Sequence, residues 1–364
     1  MIILLSPSRL KPQGKTFSEM IKLRIRSNLM IFQTWVWSRY LKSHRILESF
    51  AGEVPLFGNK MYSEYLSANL GVNDRLSILT QHYSYLTKIG LLDFFKTTIG
   101  HPHMMRKFNG KSGLEYQINI EAVPEGNREG ELVIFLSHEG RKIYSATFTF
   151  FKDDGKVCIK VGSLQGIRSF DAAALIHRAT KDFYGERPRD FLMSVLRGLG
   201  NYFGCHGLKL VSNCNRICTS GKRNAKSEVH ADYDRMWIEL GAAKCDNGNY
   251  FLPCSDFVKI NFDDIPSKKR SEYRKKSALI IDVVQSSFQN LSLYRGPVCP
   301  EIELQEKNVQ KALNAINLEN NLASVNWRLA TVQDFANREI SGPWLPLYDF
   351  YAEYFFEVAT LLMI

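Results

Sequence analysis

The side chains best suited to chemistry fall in two stretches, 165–190 and 233–241. His177 carries an imidazole whose ordinary pKa lies near neutrality, as a general base requires. Set among Ala, Leu and Ile, the same ring equally suits a packed, hydrogen-bonded position on a helix. Thr180 and Lys181 are able to hold a substrate phosphate, or to form a cap and a solvated helix end. Arg187 offers a planar fork of donors that matches a phosphate, with Glu186 and Asp190 in range as ordinary ion-pair partners. Asp234 and Glu239 read as a base and its orienting group, with helix capping the alternative for Asp234. Trp237 reads as core, and Asn213 and Asn215 as turn residues closing a strand.

Metal chemistry has one opening. Cys214 and Cys218 are four apart, with His206 and His230 nearby, and zinc takes such ligands. No second pair repeats the spacing, so no metal is expected. The seven cysteines are odd in number and irregularly placed, which indicates free thiols in a reducing compartment. The sequence has no G-x-x-x-x-G-K-[ST] phosphate loop, no H-E-x-x-H and no G-x-S-x-G elbow. Gly198, Gly200 and Gly204 imitate a dinucleotide loop but fall late in a helix, where packing and termination account for them.

The elements that must position these residues are legible in part. Residues 15–110 read as mostly helical. Basic residues from Lys22 to Arg45 alternate there with Ile31, Phe32, Trp35, Val36 and Trp37. Two forms fit this mixture: a core-packed helix with a basic outer face, or an interfacial helix on an anionic membrane. From Glu115 the pattern turns to alternation: strands near 116–121, 132–136, 143–150 and 157–164, with hairpin signals at Glu139-Gly140 and Asp154-Gly155. Four strands with short reversals predict an antiparallel meander. A helix capped by Asp171 runs to about Phe183, and a second opens at Pro188 and runs to about Phe203. A strand near 208–213, a basic loop (Lys222, Arg223, Asn224, Lys226), a helix over 232–240 and a strand at 250–253 follow. Beyond the basic run 268–276, Asp349, Glu353 and Glu357 line one face of a final packed helix.

The chain has 364 residues, 45% of them hydrophobic and 23% charged, enough for one or two globular domains. Lys and Arg number 47 against 37 acids, a formal charge of +10, which draws polyanions without choosing among them. The opening Met1-Ile-Ile-Leu-Leu-Ser-Pro lacks the features of a secretory signal. No apolar run is long enough to span a bilayer. A cytoplasmic protein is expected.

Gly162-Ser-Leu-Gln-Gly-Ile-Arg168, the T-K-x-x-x-G-x-R-P pattern from Thr180 to Pro188, and Y-D-x-x-W-x-E-x-G from Tyr233 to Gly241 form a specific combination. Together with Leu252-Pro253 they resemble the VirK/YbjX family over roughly residues 50–280. That family is linked to virulence and to resistance to antimicrobial peptides in Gram-negative bacteria, and the resemblance implies such a role. The order of elements is similar to the Gcn5-related acyltransferases, where a strand splays open after the meander. The N-terminus of the next helix then holds the donor pyrophosphate. The resemblance implies donor-binding roles for Gln165, Gly166, Arg168, Lys181, Arg187 and Arg189. Those enzymes commonly place an acid Tyr four residues before the Gly that ends the last helix. Here Trp237 stands at that position, and Tyr233, one turn earlier, is the substitute. An extra helix near 171–183 also departs from their pattern.

The expectation is therefore an α+β fold: a helical region (1–110), an antiparallel meander with helices, acyl-CoA N-acyltransferase-like (111–285), and a helical C-terminal segment (286–364). Catalytic roles fall to Tyr233, His177 and Glu239. The donor is acyl-CoA or an acyl carrier protein, whose acidity suits the basic surface. The alternative is a non-enzymatic regulator that binds RNA, a protein or the inner membrane surface.

Overall fold

The structure is a computed structural model that describes residues 30–54, 57–124, 127–217, 231–255, 265–296, 298 and 301–322. The expectations about Lys22, Arg24, Arg26, Cys218, His230, the loop 222–226 and the acids at 349–357 lie outside the described residues.

Helices α1 (Ile31–Lys42), α2 (Arg45–Glu53), α3 (Val72–Lys88) and α4 (Leu92–Thr97) come first. Val36, Trp37, Tyr40 and Leu41 are buried while Arg39 and Lys42 are exposed, so α1 packs into the core with a basic outer face. Trp37, Tyr40, Phe50, Phe57 and Tyr83 form one aromatic cluster. Helix does not continue to residue 110: His103–Asn109 is a strand, β1. A register shift between Met104 and Arg106 leaves Met105 and Phe108 buried three apart. That spacing mimics a helical turn and hid the strand.

Strands β2 (Glu115–Ala122), β3 (Leu132–His138), β4 (Arg141–Asp153) and β5 (Lys156–Gly166) complete an antiparallel meander with β1. The hairpin turns place Glu139 and Asp154 at φ 48°, each followed by a glycine with positive φ, the geometry of two-residue loops. Then come α5 (Ala172–Asp182), α6 (Pro188–Tyr202), β6 (Gly207–Leu210), α7 (Tyr233–Glu239), β7 (Ala243–Lys244), β8 (Tyr250–Pro253), α8 (Ser267–Phe288) and α9 (Glu301–Leu322). The sheet of the described residues runs β1-β2-β3-β4-β5-β6-β8-β7. Its β5–β6 pair is parallel and the other pairs are antiparallel.

Helix α3 closes the edge of β4 where β3 stops. β3 pairs with β4 only as far as Leu132↔Phe148. Past that point the Phe150 N–H donates to His82 Nδ1 at 3.1 Å and the Lys152 N–H to Gln81 Oε1 at 2.9 Å. Two side chains thus satisfy strand donors that would otherwise lie unpaired. Beside them sits a buried ion pair. Lys60 Nζ donates to Glu131 Oε1 at 2.6 Å and to the carbonyls of Val123 and Gly130, and Tyr83 donates to the other carboxylate oxygen.

Helix α6 lies on the sheet and under α8 through glycines. A Cβ on Gly198 would meet Val284 Cγ1 at 2.2 Å, and one on Gly200 would meet Cys254 Sγ at 2.4 Å. Helix α9 packs on α3 and α1. Asp171 sits at the N-cap of α5, yet its carboxylate makes no cap bond. It is held instead by a two-pronged contact with Arg141, both bonds 2.8 Å.

Candidate functional site

The strands open where the sequence residues gather. β5 and β6 pair from Ile159↔Leu208 to Val161↔Leu210, and no further. Gly162 then sits in a bulge against β4, where the register skips between Thr147 and Phe148. A Cβ there would lie 2.0 Å from the Glu129 carbonyl oxygen, so the close crossing demands glycine. Past the bulge, Ser163 to Gly166 keep their pairing to β4 and turn a free edge toward the gap.

Helix α7 is wedged into that gap, and its motif residues each take one wall. The Tyr233 hydroxyl accepts from the Leu164 N–H at 2.7 Å and donates to the Leu164 carbonyl at 2.9 Å. Trp237 Nε1–H donates to the Val211 carbonyl at 2.7 Å, on the β6 side. Asp232 caps the helix through the Arg235 N–H. Asp234 instead accepts from the Asn213 N–H at 2.9 Å, and Asn213 Oδ1 returns the contact to the Tyr233 N–H. The Arg216 guanidinium lies 3.8 Å over the Tyr233 ring. Tyr233 and Trp237 are fully buried.

Glu239, at the far end of α7, gathers three arginines. Its Oε2 accepts from Arg187 Nη1 at 2.9 Å and from Arg189 Nη2, and its Oε1 from Arg235 Nε at 3.0 Å. Arg189 foremost, then Arg187, holds the Glu239 carboxyl below the usual carboxylate range. Arg189 also reaches Asp190 Oδ1 at 3.0 Å, and burial pushes the Asp190 carboxyl up. Arg187 is the N-cap of α6 and Pro188 its first residue, so the cluster stands at a positive helix end.

The neighbouring wall comes from the meander. Tyr144 pairs in register with Gly166, and a Cβ on Gly166 would press on the Tyr144 ring at 3.0 Å. Burial pushes the half-buried Tyr144 phenol up, while Arg189 pulls it down. Gln165 donates to Glu129 Oε2 at 2.8 Å.

Of the residues singled out from sequence, the fold brings Arg187, Arg189 and Glu239 into contact. It sets Tyr233 at the base of the same helix and has Gln165 and Gly166 end the opened strand. Arg168 is exposed on the loop that follows. His177 and Lys181 line a different depression, with Lys111, Arg178 and Asp182. Tyr233 has its hydroxyl committed to Leu164 on both sides, Glu239 is ion-paired, and His177 is exposed on α5. Sequence reasoning missed Tyr144, Arg235 and Glu129. Only the four-residue spacing of Arg235 and Glu239 was readable in advance. Among the described residues no group of three His, Cys, Asp or Glu is placed to hold a metal. Nor is any described helix long and apolar enough to cross a membrane.

Residues 12–289 match the family described as "Protein of unknown function (DUF535)". The chain belongs to this family, the VirK/YbjX family. The uncharacterized protein YbjX of Escherichia coli strain K12 is 26% identical over 278 residues, 76% of this chain and 83% of that protein. An uncharacterized Haemophilus influenzae protein is 28% identical over 153 residues, 42% of this chain and 50% of its own length. A second from that organism is 26% identical over 179 residues, covering 49% and 59%. Among solved structures, a mutant form of a cAMP-binding acyltransferase from Mycobacterium smegmatis covers 59% of this chain and 62% of its own. Its identity is 13% and its TM-score 0.25, too low to carry an argument.

Proposed function

We propose that this VirK/YbjX-family protein binds a phosphate-bearing thioester, acyl-coenzyme A or an acylated carrier protein, and passes its acyl group to an amine. The observation that supports this most is the convergence of Arg187, Arg189 and Arg235 on the single carboxylate of Glu239, at a helix N-terminus beside an opened strand. Glu239 occupies the place of an anion, and a donor phosphate competes for the same guanidiniums. Arg168, exposed on the adjoining loop, adds charge to that entrance, and the unit that binds is the sheet from β1 onward with its helices, wider than residues 111–285.

In the transfer step the acceptor amine attacks the thioester carbonyl, the C–S bond breaks, and the departing thiolate takes a proton. With the Tyr233 hydroxyl spent on Leu164, that proton is assigned to Tyr144. Its half-buried hydroxyl makes no hydrogen bond to a described residue and lies within the field of Arg189. Deprotonation of the acceptor is assigned to Asp190, whose carboxyl burial pushes up against the pull of Arg189. The five described cysteines are free thiols, in keeping with a cytoplasmic location. A role in virulence or peptide resistance follows if the acceptor belongs to the envelope.

The test is calorimetric titration with coenzyme A, several acyl thioesters and acylated carrier protein. Binding that disappears in Arg187→Ala and Arg189→Ala supports the reading; a wild-type protein that binds none of the donors refutes it. The twice-bonded Tyr233 favours one second reading, an anion-binding regulator without turnover. Donor-independent, salt-sensitive retention of RNA would move the assignment there.

A further inference from the structure

Helix α5 is anchored at one end. Its buried residues are Ala179 and Asp182, both in the last turn. The Asp182 carboxylate accepts from Tyr116 Oη at 2.7 Å and from the Ser112 N–H at 3.1 Å, which ties that end to the β1–β2 hairpin. The remainder of the helix is exposed or half-buried. Phe170, just before it, is completely exposed.

The outward residues share one face. Ala174, His177, Arg178 and Lys181, all exposed, follow one another at helical spacing, the repeat of a single stripe, and Phe170 stands in the turn before the helix. The stripe is apolar at its start and basic at its end. It leads into a depression of about 760 Å³ lined by Lys111, Ser112, His177, Arg178 and Lys181, with Glu272 of α8 opposite. Lys111, Arg178 and Lys181 form no ion pair among the described residues. Lys268, Lys269 and Lys275 are exposed on α8, the helix that supplies Glu272. Phe170 is wholly solvated ahead of the helix, and the exposed cations at its far end have only Asp182 and Glu272 as acids in the same depression.

We propose that this face docks on an anionic phospholipid bilayer. Phe170 enters the interfacial zone, and Lys111, Arg178 and Lys181 meet the lipid phosphates. The choice of a bilayer rests on shape and charge together. A lone protruding ring needs no fitted pocket in a fluid surface, whereas a folded acidic partner must supply one. Lys111, Arg178 and Lys181 are all exposed, where lipid phosphates can reach them. This surface is separate from the arginine cluster on Glu239, and the proposal does not depend on acyl transfer.

The experiment is co-sedimentation of the full chain with phosphatidylcholine vesicles, with and without added phosphatidylglycerol, at low and high salt. The expected result is binding to the anionic vesicles that weakens with salt. Phe170→Asp and the pair Arg178→Glu/Lys181→Glu should each reduce the bound fraction about tenfold. The pair Lys156→Glu/Lys244→Glu, exposed cations elsewhere with the same charge change, should bind nearly as wild type does. Should charge reversal unfold the chain, Phe170→Ala and Arg178→Ala/Lys181→Ala supply the same comparison. No wild-type binding to anionic vesicles overturns the proposal. So does an equal loss in the Lys156/Lys244 control, which would reduce the effect to net charge. Capture by an acidic carrier protein without vesicle binding overturns it in favour of a protein partner.

Discussion

Tyr233→Phe isolates the hydroxyl that holds the opened strand. The substitution keeps the ring, its edge contact with Trp237 at 5.2 Å and the Arg216 guanidinium over its face. It removes two hydrogen bonds, one from the Leu164 N–H and one to the Leu164 carbonyl. Tyr233 is 0% exposed and Leu164 3%, so water does not replace the lost partner. A buried polar group left unsatisfied costs about 1–3 kcal/mol. Two such groups on one residue, partly relieved by local relaxation, give about 2–4 kcal/mol. Urea unfolding followed by circular dichroism reads this as a lower midpoint at unchanged slope. Tyr144→Phe is the matched control: its hydroxyl makes no bond to a described residue, so stability should stay within about 0.5 kcal/mol. A Tyr233→Phe protein as stable as wild type would refute the account of α7 as a hydrogen-bonded wedge.

Replacing Glu239 by Gln removes the charge that competes for Arg187, Arg189 and Arg235. With that competitor gone, coenzyme A should bind more tightly by calorimetry, and unchanged affinity would count against competition. His82 is fully buried and neutral: burial foremost, then Lys60, pushes its imidazole down to about 3 from 6.5. Its folded pKa lies below the unfolded value, so the stability it confers is full above pH 6.5 and drains away as pH falls toward 3. Wild type should lose roughly 3 kcal/mol between about pH 7 and pH 4 from this group. His82→Gln, which keeps an acceptor for the Phe150 N–H, should flatten that limb of the pH–stability curve. Lys60→Met strands the Glu131 carboxylate, 1% exposed, and should cost about 3–5 kcal/mol in urea unfolding. Adding Glu131→Gln should recover more than half of that; no recovery would show that the lysine matters for packing rather than charge.

The meander and the helices flanking it were legible because their signals are local. Alternation between 115 and 164, with Glu139-Gly140 and Asp154-Gly155 at the reversals, specifies strands and turns without reference to anything distant. Pro188 and Gly204, φ 69°, bracket α6 for the same reason. β1 was not legible. Its bulge puts Met105 and Phe108 three apart, and only pairing with β2 shows that the period is interrupted rather than helical.

The candidate site divides the same way. The spacing of Tyr233, Trp237 and Glu239 states that two rings share one face of α7 while a carboxylate stands at its end. Which groups those side chains meet depends on contacts across the fold. Tyr233 meets Leu164 because a bulge at Gly162 parts β5 from β6 and leaves that backbone edge open. Glu239 meets Arg187 and Arg189 because α6 and α7, distant in the chain, flank the same gap. Tyr144 reads from sequence as one more strand residue. It reaches the site through a register that sets its ring across a glycine on the next strand. Sequence determined which arginines, carboxylates and phenols this protein carries and how they are spaced along its helices. The tertiary structure decided which are committed to each other and which still face outward, because hydrogen bonds and ion pairs between distant segments form only once the sheet has its order and register.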